Sequence, residues 1–210
     1  TCPTRAPSAA NSTLLVPPRA FARWCHSSMS MWMVTNGGVT GVAFDLDAVT
    51  GAFTNSGSIV GEYGNGVAID VGTWGAAEAR ADVVNTVDGV VIGGETGFLL
   101  DVGTMYGDFL NDGQIVGYGE NTGVHIVADD YFGDILNNGT IESPSNALVA
   151  DIDLLDGGFS NTGTIAGGQT GARFVLGEMT GDFTNSGTIA GEYGDGVNIY
   201  VEAWGSEETP

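Results

Sequence analysis

The chain has 210 residues, with 26 Asp and Glu against five Arg and no Lys, and its net charge at pH 7 is -21. That balance excludes DNA, RNA and anionic membrane as natural partners, because those surfaces recruit Lys and Arg. An apolar content of 42% excludes a disordered acidic tail, and nothing approaches the run of about eighteen apolar residues that a membrane-spanning helix needs.

Composition divides the chain near residue 35. Residues 1–34 contain no Gly, Asp or Glu, yet hold four of the six Pro, three of the five Arg and both cysteines, Cys2 and Cys25. Those cysteines could form one disulfide, and two cysteines say little about compartment. The apolar run Leu14–Val16 stops at Pro17 and Pro18, so the stretch does not read as a secretory signal. Three readings fit it. It is an irregular cap in which Phe21, Trp24, Met31 and Trp32 cover the first repeat, or a leader or non-native segment. Alternatively it precedes the true start at Met29, Met31 or Met33.

Residues 35–210 hold all 35 Gly and all 26 acids against Arg80 and Arg173, a balance of -24. Here the sequence repeats. A Gly-Val-x-Ile-x-Val pattern starts at Gly41, Gly66, Gly97, Gly123, Ala147, Gly171 and Gly196, in steps of 25, 31, 26, 24, 24 and 25 residues. A fixed period of this size marks a solenoid. Alternation within each copy predicts a strand with one buried face. The inward sets are Val42/Phe44/Leu46, Val67/Ile69/Val71, Phe98/Leu100/Val102, Val124/Ile126/Ala128, Leu148/Ala150/Ile152, Ala172/Phe174/Leu176 and Val197/Ile199/Val201. Three residues further on stands another apolar position (Val49, Trp74, Met105, Tyr131, Leu155, Met179, Trp204), and the odd step implies a bend.

A second motif, apolar-x-Asn-x-Gly-x-Ile, follows at Phe53, Phe109, Ile135, Phe159 and Phe183. The copy at Val83 and Asn85 has its Gly two residues late, at Gly89. The same repeat carries extra residues around Ala76–Asp82, which should bulge from one edge. Asn and Gly tolerate the left-handed backbone of tight corners, and stacked asparagines can hydrogen-bond along the stack. Asn55, Asn85, Asn111, Asn137, Asn161 and Asn185 are therefore expected to form a structural ladder. Interior glycines, at roughly 1 kcal/mol each, oppose a helical solenoid. A hairpin sandwich would place paired strands inside each repeat, whereas equivalent strands recur once per repeat. The fold expected is all-β: a parallel β-helix (solenoid) of about six and a half turns, with roughly 25 residues per turn. It occupies residues 35–204, between the segment 1–34 and a polar tail, 205–210.

The string GDFTNSGTIAGEYGDGVNI (181–199) resembles the parallel β-helix passenger regions of Gram-negative autotransporters, and the likeness extends over 35–204. It implies a right-handed coil on the cell surface or outside the cell. Because passengers are flanked in that family by a secretion signal and a translocator barrel, it also implies a fragment or a released passenger, outer-membrane attached through a missing segment.

Candidate chemistry lies on outward positions. One column runs Asp45, Asp70, Asp101, Val127, Asp151, Val175, Tyr200; another contains Asp82, Asp108, Asp134 and Asp182. Oxygen-rich columns suit Ca²⁺, so Asp45, Asp70, Asp101, Asp82, Asp108 and Asp134 are the candidate ligands, against the plainer reading of a solvated acidic face. Asp129, Asp130 and Asp134 form the densest acidic group, but neighbours on a strand should point to opposite sides, which separates Asp129 from Asp130. Arg80, Arg173 and an outward His125, with no Ser or Cys beside it, complete no nucleophilic triad. Tyr63, Tyr118 and Tyr193 recur in Gly-Glu-Tyr-Gly or Gly-Tyr-Gly-Glu corners, where a tyrosine can stack on sugars or meet proteins. Thr140, Thr164 and Thr188 form a short hydroxyl column.

The function expected is an extracellular, cell-surface structural or adhesive module without catalysis of its own and without a cofactor, Ca²⁺ apart. Its partners would be a host or cell-surface protein or glycan, or copies of itself end to end; nucleic acid and direct membrane insertion are excluded. The alternatives are a self-assembling extracellular filament subunit and a polysaccharide-active enzyme using paired carboxylates.

Overall fold

A computed structural model of the chain describes residues 29–31, 35–37, 39–119 and 121–205. These residues contain strands and turns and no helix, and so no helix able to cross a membrane. The strands sort into three sheets of seven, all parallel. The Asn sheet takes Met29–Met31, Phe53–Asn55, Val83–Asn85, Phe109–Asn111, Ile135–Asn137, Phe159–Asn161 and Phe183–Asn185. The short sheet takes Thr35–Gly37, Ser58–Gly61, Val90–Gly93, Gln114–Gly117, Thr140–Ser143, Thr164–Gly167 and Thr188–Gly191. The long sheet takes Val42–Val49, Val67–Trp74, Phe98–Tyr106, Thr122–Phe132, Asn146–Asp156, Thr170–Met179 and Val197–Trp204. The chain passes from long to Asn to short sheet and begins again, which is a parallel β-solenoid.

Equivalent residues lie directly over one another. Phe109 pairs with Val83 on one side and Ile135 on the other, and Phe159 continues the row to Phe183. The late glycine at Gly89 does not disturb this, since Val91 takes the place of the isoleucine between Ile59 and Ile115. The seven inward sets face one interior, fully buried in the middle turns and partly open in the first and last. Phe44, Phe53, Phe98 and Phe109 interlock edge to face along the axis at 5.4–6.0 Å, a geometry that aromatic quadrupoles favour. Each fully buried side chain of this kind contributes about 1.5–3 kcal/mol. In the last turn the same ladders are open, with Val197, Ile199 and Trp204 exposed.

Pairing reaches upstream of the compositional boundary at residue 35, because Met29–Met31 joins the Asn sheet beside Phe53–Asn55. The cap, leader and start-site readings for Phe21, Trp24, Trp32 and Met33 fall outside the described residues, as does the tail after Gly205.

The bend in each long strand has a simple cause. Leu46 pairs with Val71 and Ala48 with Thr73, while Asp47 and Gly72 drop out of the ladder. Two successive residues therefore lie outside between two that lie inside. This overturns the expectation that Asp129 and Asp130 oppose each other: their neighbours Ala128 and Tyr131 are both buried, at 5% and 0% exposure, and both aspartates sit on the outer surface. Alternation breaks at this bend without any inserted residue, since the register is the same on both sides of it, Ala128 with Val102 and Tyr131 with Met105.

The extra residues of the second turn form a small corner excursion. Gly75 opens it with φ of +75°, a conformation glycine adopts without strain, and Ala76 and Ala79 exchange two backbone hydrogen bonds. Buried Ala81 closes it, its carbonyl accepting the indole N–H of Trp74 at 3.0 Å. At the tip Arg80 reaches across two turns, donating to the Phe132 carbonyl at 2.6 Å and standing 3.6 Å from Asp108.

Between the long and Asn sheets the turns pack backbone on backbone. A Cβ built on Gly133, Gly157 or Gly181 would overlap the carbonyl oxygen of the glycine one turn earlier. Gly133→Ala should therefore destabilise the solenoid by about 1–3 kcal/mol, the usual range for overpacking, read as a lower midpoint in urea unfolding. The buried Tyr131 hydroxyl lies beneath the aspartate corner, near the Phe109 backbone but without a well-formed hydrogen bond, and burial pushes its ionisation well above the ordinary tyrosine value, with Asp108 adding to the effect. Tyr131→Phe removes the orphaned hydroxyl and should stabilise by about 1 kcal/mol. The sign with pH follows: the folded-state value is raised, so stability holds below pH 10 and falls as pH climbs above it, where only the unfolded tyrosine ionises. The Phe variant should lose that part of the alkaline decline, as measured by denaturation between pH 8 and about pH 11.

Candidate functional site

The six asparagines form one hydrogen-bonded column. Each Nδ2 donates to the Oδ1 of the next: Asn55 to Asn85, Asn85 to Asn111 and Asn111 to Asn137 at 2.8 Å, then Asn137 to Asn161 and Asn161 to Asn185 at 2.7 Å. The first five are buried. Their amides also donate to carbonyls at the corner, such as Gly139 from Asn137 at 3.2 Å and Gly89 from Asn85 at 3.1 Å. Each of these carbonyls also accepts a backbone N–H from the following turn, Gly89 from Gln114 at 2.9 Å and Gly139 from Thr164 at 2.8 Å, so the side-chain amide is a second donor that ties the corner to the column. In the second turn the longer loop carries Gly89 to the same place, so the column stays unbroken.

The two aspartate columns differ from one another. Asp45, Asp70 and Asp101 stack in register on the outside of the long sheet, and Val127 separates them from Asp151. They are exposed, and carboxylates one rung apart repel by about 1 kcal/mol per pair in water. Asp82, Asp108 and Asp134 are instead bound to backbone. The N–H of Asp108 donates to Asp82 Oδ1 at 3.0 Å, that of Asp134 to Asp108 at 2.9 Å, and that of Gly158 to Asp134 at 2.8 Å. Each carboxylate fixes the entry of the following turn into the Asn sheet. Among the described residues no three His, Cys, Asp or Glu side chains converge as a metal site would require; a column spreads its oxygens along the axis, whereas Ca²⁺ gathers six to eight around a point.

Other pairs cross between rungs. His125 lies between Leu99 and Val149 in its own column, yet its Nε2 is 3.2 Å from Asp151 Oδ2, in the next column and one turn on. Tyr106 and Phe132 stack outside the long sheet, with centroids 4.9 Å apart and an interplanar angle of 9°. A groove of ≈ 370 Å³ crosses the outer long sheet beside Asp129, Asp151, Asp153 and Glu202. The Tyr106–Phe132 pair follows from repeat spacing, because the two stand in register; the His125–Asp151 contact and the groove do not. Diagonal neighbours come from different repeats, and the three-residue step to Tyr131 implies a bend without saying that Asp129 and Asp130 both turn outward.

The corner after the short sheet carries the exposed tyrosines, Tyr63 at 70%, Tyr118 at 65% and Tyr193 at 83%. The neighbouring Glu192 carboxylate holds the Tyr193 phenol above its ordinary ionisation range, because it favours the protonated hydroxyl and repels the phenolate. Next to Tyr118 a second groove, ≈ 510 Å³, follows the outside of the short sheet. Thr140, Thr164 and Thr188 stack in register on the same sheet.

Removing an internal rung of the asparagine column should cost more than removing the last one. Asn137→Ala takes the acceptor from Asn111 and the donor from Asn161, and unfolding in denaturant should show a loss of about 2–3 kcal/mol. Asn185→Ala, at the exposed end, should lose about 1 kcal/mol.

No protein-family model, curated protein or solved structure matches the chain.

Proposed function

We propose that the chain is an extracellular, cell-surface structural and adhesive module, a β-helix passenger of the autotransporter type, without catalytic activity of its own. The observation that carries this reading is the continuous in-register stack, which makes each side face a fixed surface about 4.8 Å per rung with tyrosines raised on one corner. A rigid column with a core this continuous supports presentation of side chains at set intervals. Its strongly negative surface keeps such modules soluble and apart.

Beads coated with the full chain should adhere to cells, or to immobilised cell-surface proteins and glycans, above beads coated with an inert protein of equal charge. The chain should also release no reducing ends from acidic polysaccharides. Adherence no greater than the control, or release of reducing sugar, would overturn the reading.

A further inference from the structure

The groove on the short sheet runs along the solenoid axis. Tyr118 stands at one end and Glu192 at the other, each in the position just after its short-sheet strand, three rungs apart. Glu142 flanks the Tyr118 end, with Ala166 and Ala190 following it in register on the same outward column. The floor is therefore low, made of Ala166, Ala190 and Gly168, and open to a close-lying backbone.

Three features define what fits. The first is length: three rungs at about 4.8 Å give about 14 Å, the reach of about four extended residues. The second is charge. Glu142 and Glu192 lie in the groove without a cation, and the described arginines stand elsewhere, Arg80 on the corner excursion and Arg173 on the long sheet. The third is the Tyr118 ring, whose exposed face can receive a cation. In an extended peptide, residues i, i+2 and i+4 share one face.

We propose that this groove binds an extended peptide segment of the form Lys-x-small-x-Lys, or its Arg equivalent. One cationic side chain lies over Tyr118 beside Glu142, the small residue rests on the alanine and glycine floor, and the second cation meets Glu192. This rests on the reading of the side faces as binding surfaces and names the partner class as a basic protein segment.

Fluorescence anisotropy of the full chain with a labelled Lys-Thr-Ala-Thr-Lys peptide tests it. The spaced peptide should bind more tightly than Thr-Ala-Lys-Lys-Thr, which carries the same charge with adjacent lysines. Tyr118→Ala should weaken binding about two- to five-fold, and Glu192→Gln should weaken it more than Asp47→Asn, an equal charge change on the long sheet. Tyr118→Leu, which keeps apolar bulk and removes the π face, should behave like Tyr118→Ala, and melting curves confirm that each variant is folded. Equal affinity for the two peptides, equal effects of Glu192→Gln and Asp47→Asn, or displacement of the peptide by a neutral oligosaccharide such as maltohexaose would overturn the proposal. If the peptide fails to bind while coated beads still adhere, this groove assignment falls and the adhesive reading stands.

Discussion

The structure depends on register between successive turns. A turn of this solenoid has too little apolar surface to hold itself together, and only contact with its neighbours encloses the phenylalanines and isoleucines. The asparagine column turns that requirement into a strict one. A slip of one residue in the Asn sheet would carry a buried amide out of line and bring Thr54 or Leu136 equivalents into the interior. Apolar side chains alone would tolerate such a slip more readily, since one greasy contact resembles another. Hydrogen bonds of 2.7–2.8 Å between identical amides do not.

Much of this was readable in the linear chain, for a physical reason. In a solenoid the vertical neighbour of a residue is the same position of the next repeat, so columns can be written down from spacing alone. The inward sets, the asparagine column and the stacked Asp45, Asp70 and Asp101 all follow from that rule. What spacing does not supply is geometry across columns or at irregularities. The His125–Asp151 contact joins different columns. The reach of Arg80 to Phe132 depends on the three-dimensional path of a seven-residue excursion. The outward placement of both Asp129 and Asp130 comes from the bend of the long strand, where simple alternation stops. The groove between Tyr118 and Glu192 depends on small residues that two successive repeats place there, Ala166 and Gly168 from one and Ala190 from the next.

The acidic residues divide into two kinds of work. Asp82, Asp108 and Asp134 face backbone amides and belong to the architecture. The exposed acids of the long sheet and of the short-sheet groove have no cation opposite them among the described residues except His125 beside Asp151; Arg80 stands beside Asp108 of the architectural column. They shape the field around the molecule, and a partner approaching any side face meets that field before it meets a specific residue.

The asparagine column also has a direction. Every amide nitrogen in it points toward the C-terminal turn and every carbonyl oxygen toward the N-terminal one. The side-chain dipoles therefore add, as peptide dipoles do along a helix, and the two ends of the buried filament are chemically opposite, one an acceptor and one a donor. A turn inverted on this stack would set like against like. The molecule thus carries an arrow inside its core, and any element that extends the column at its final amide must arrive with an oxygen leading.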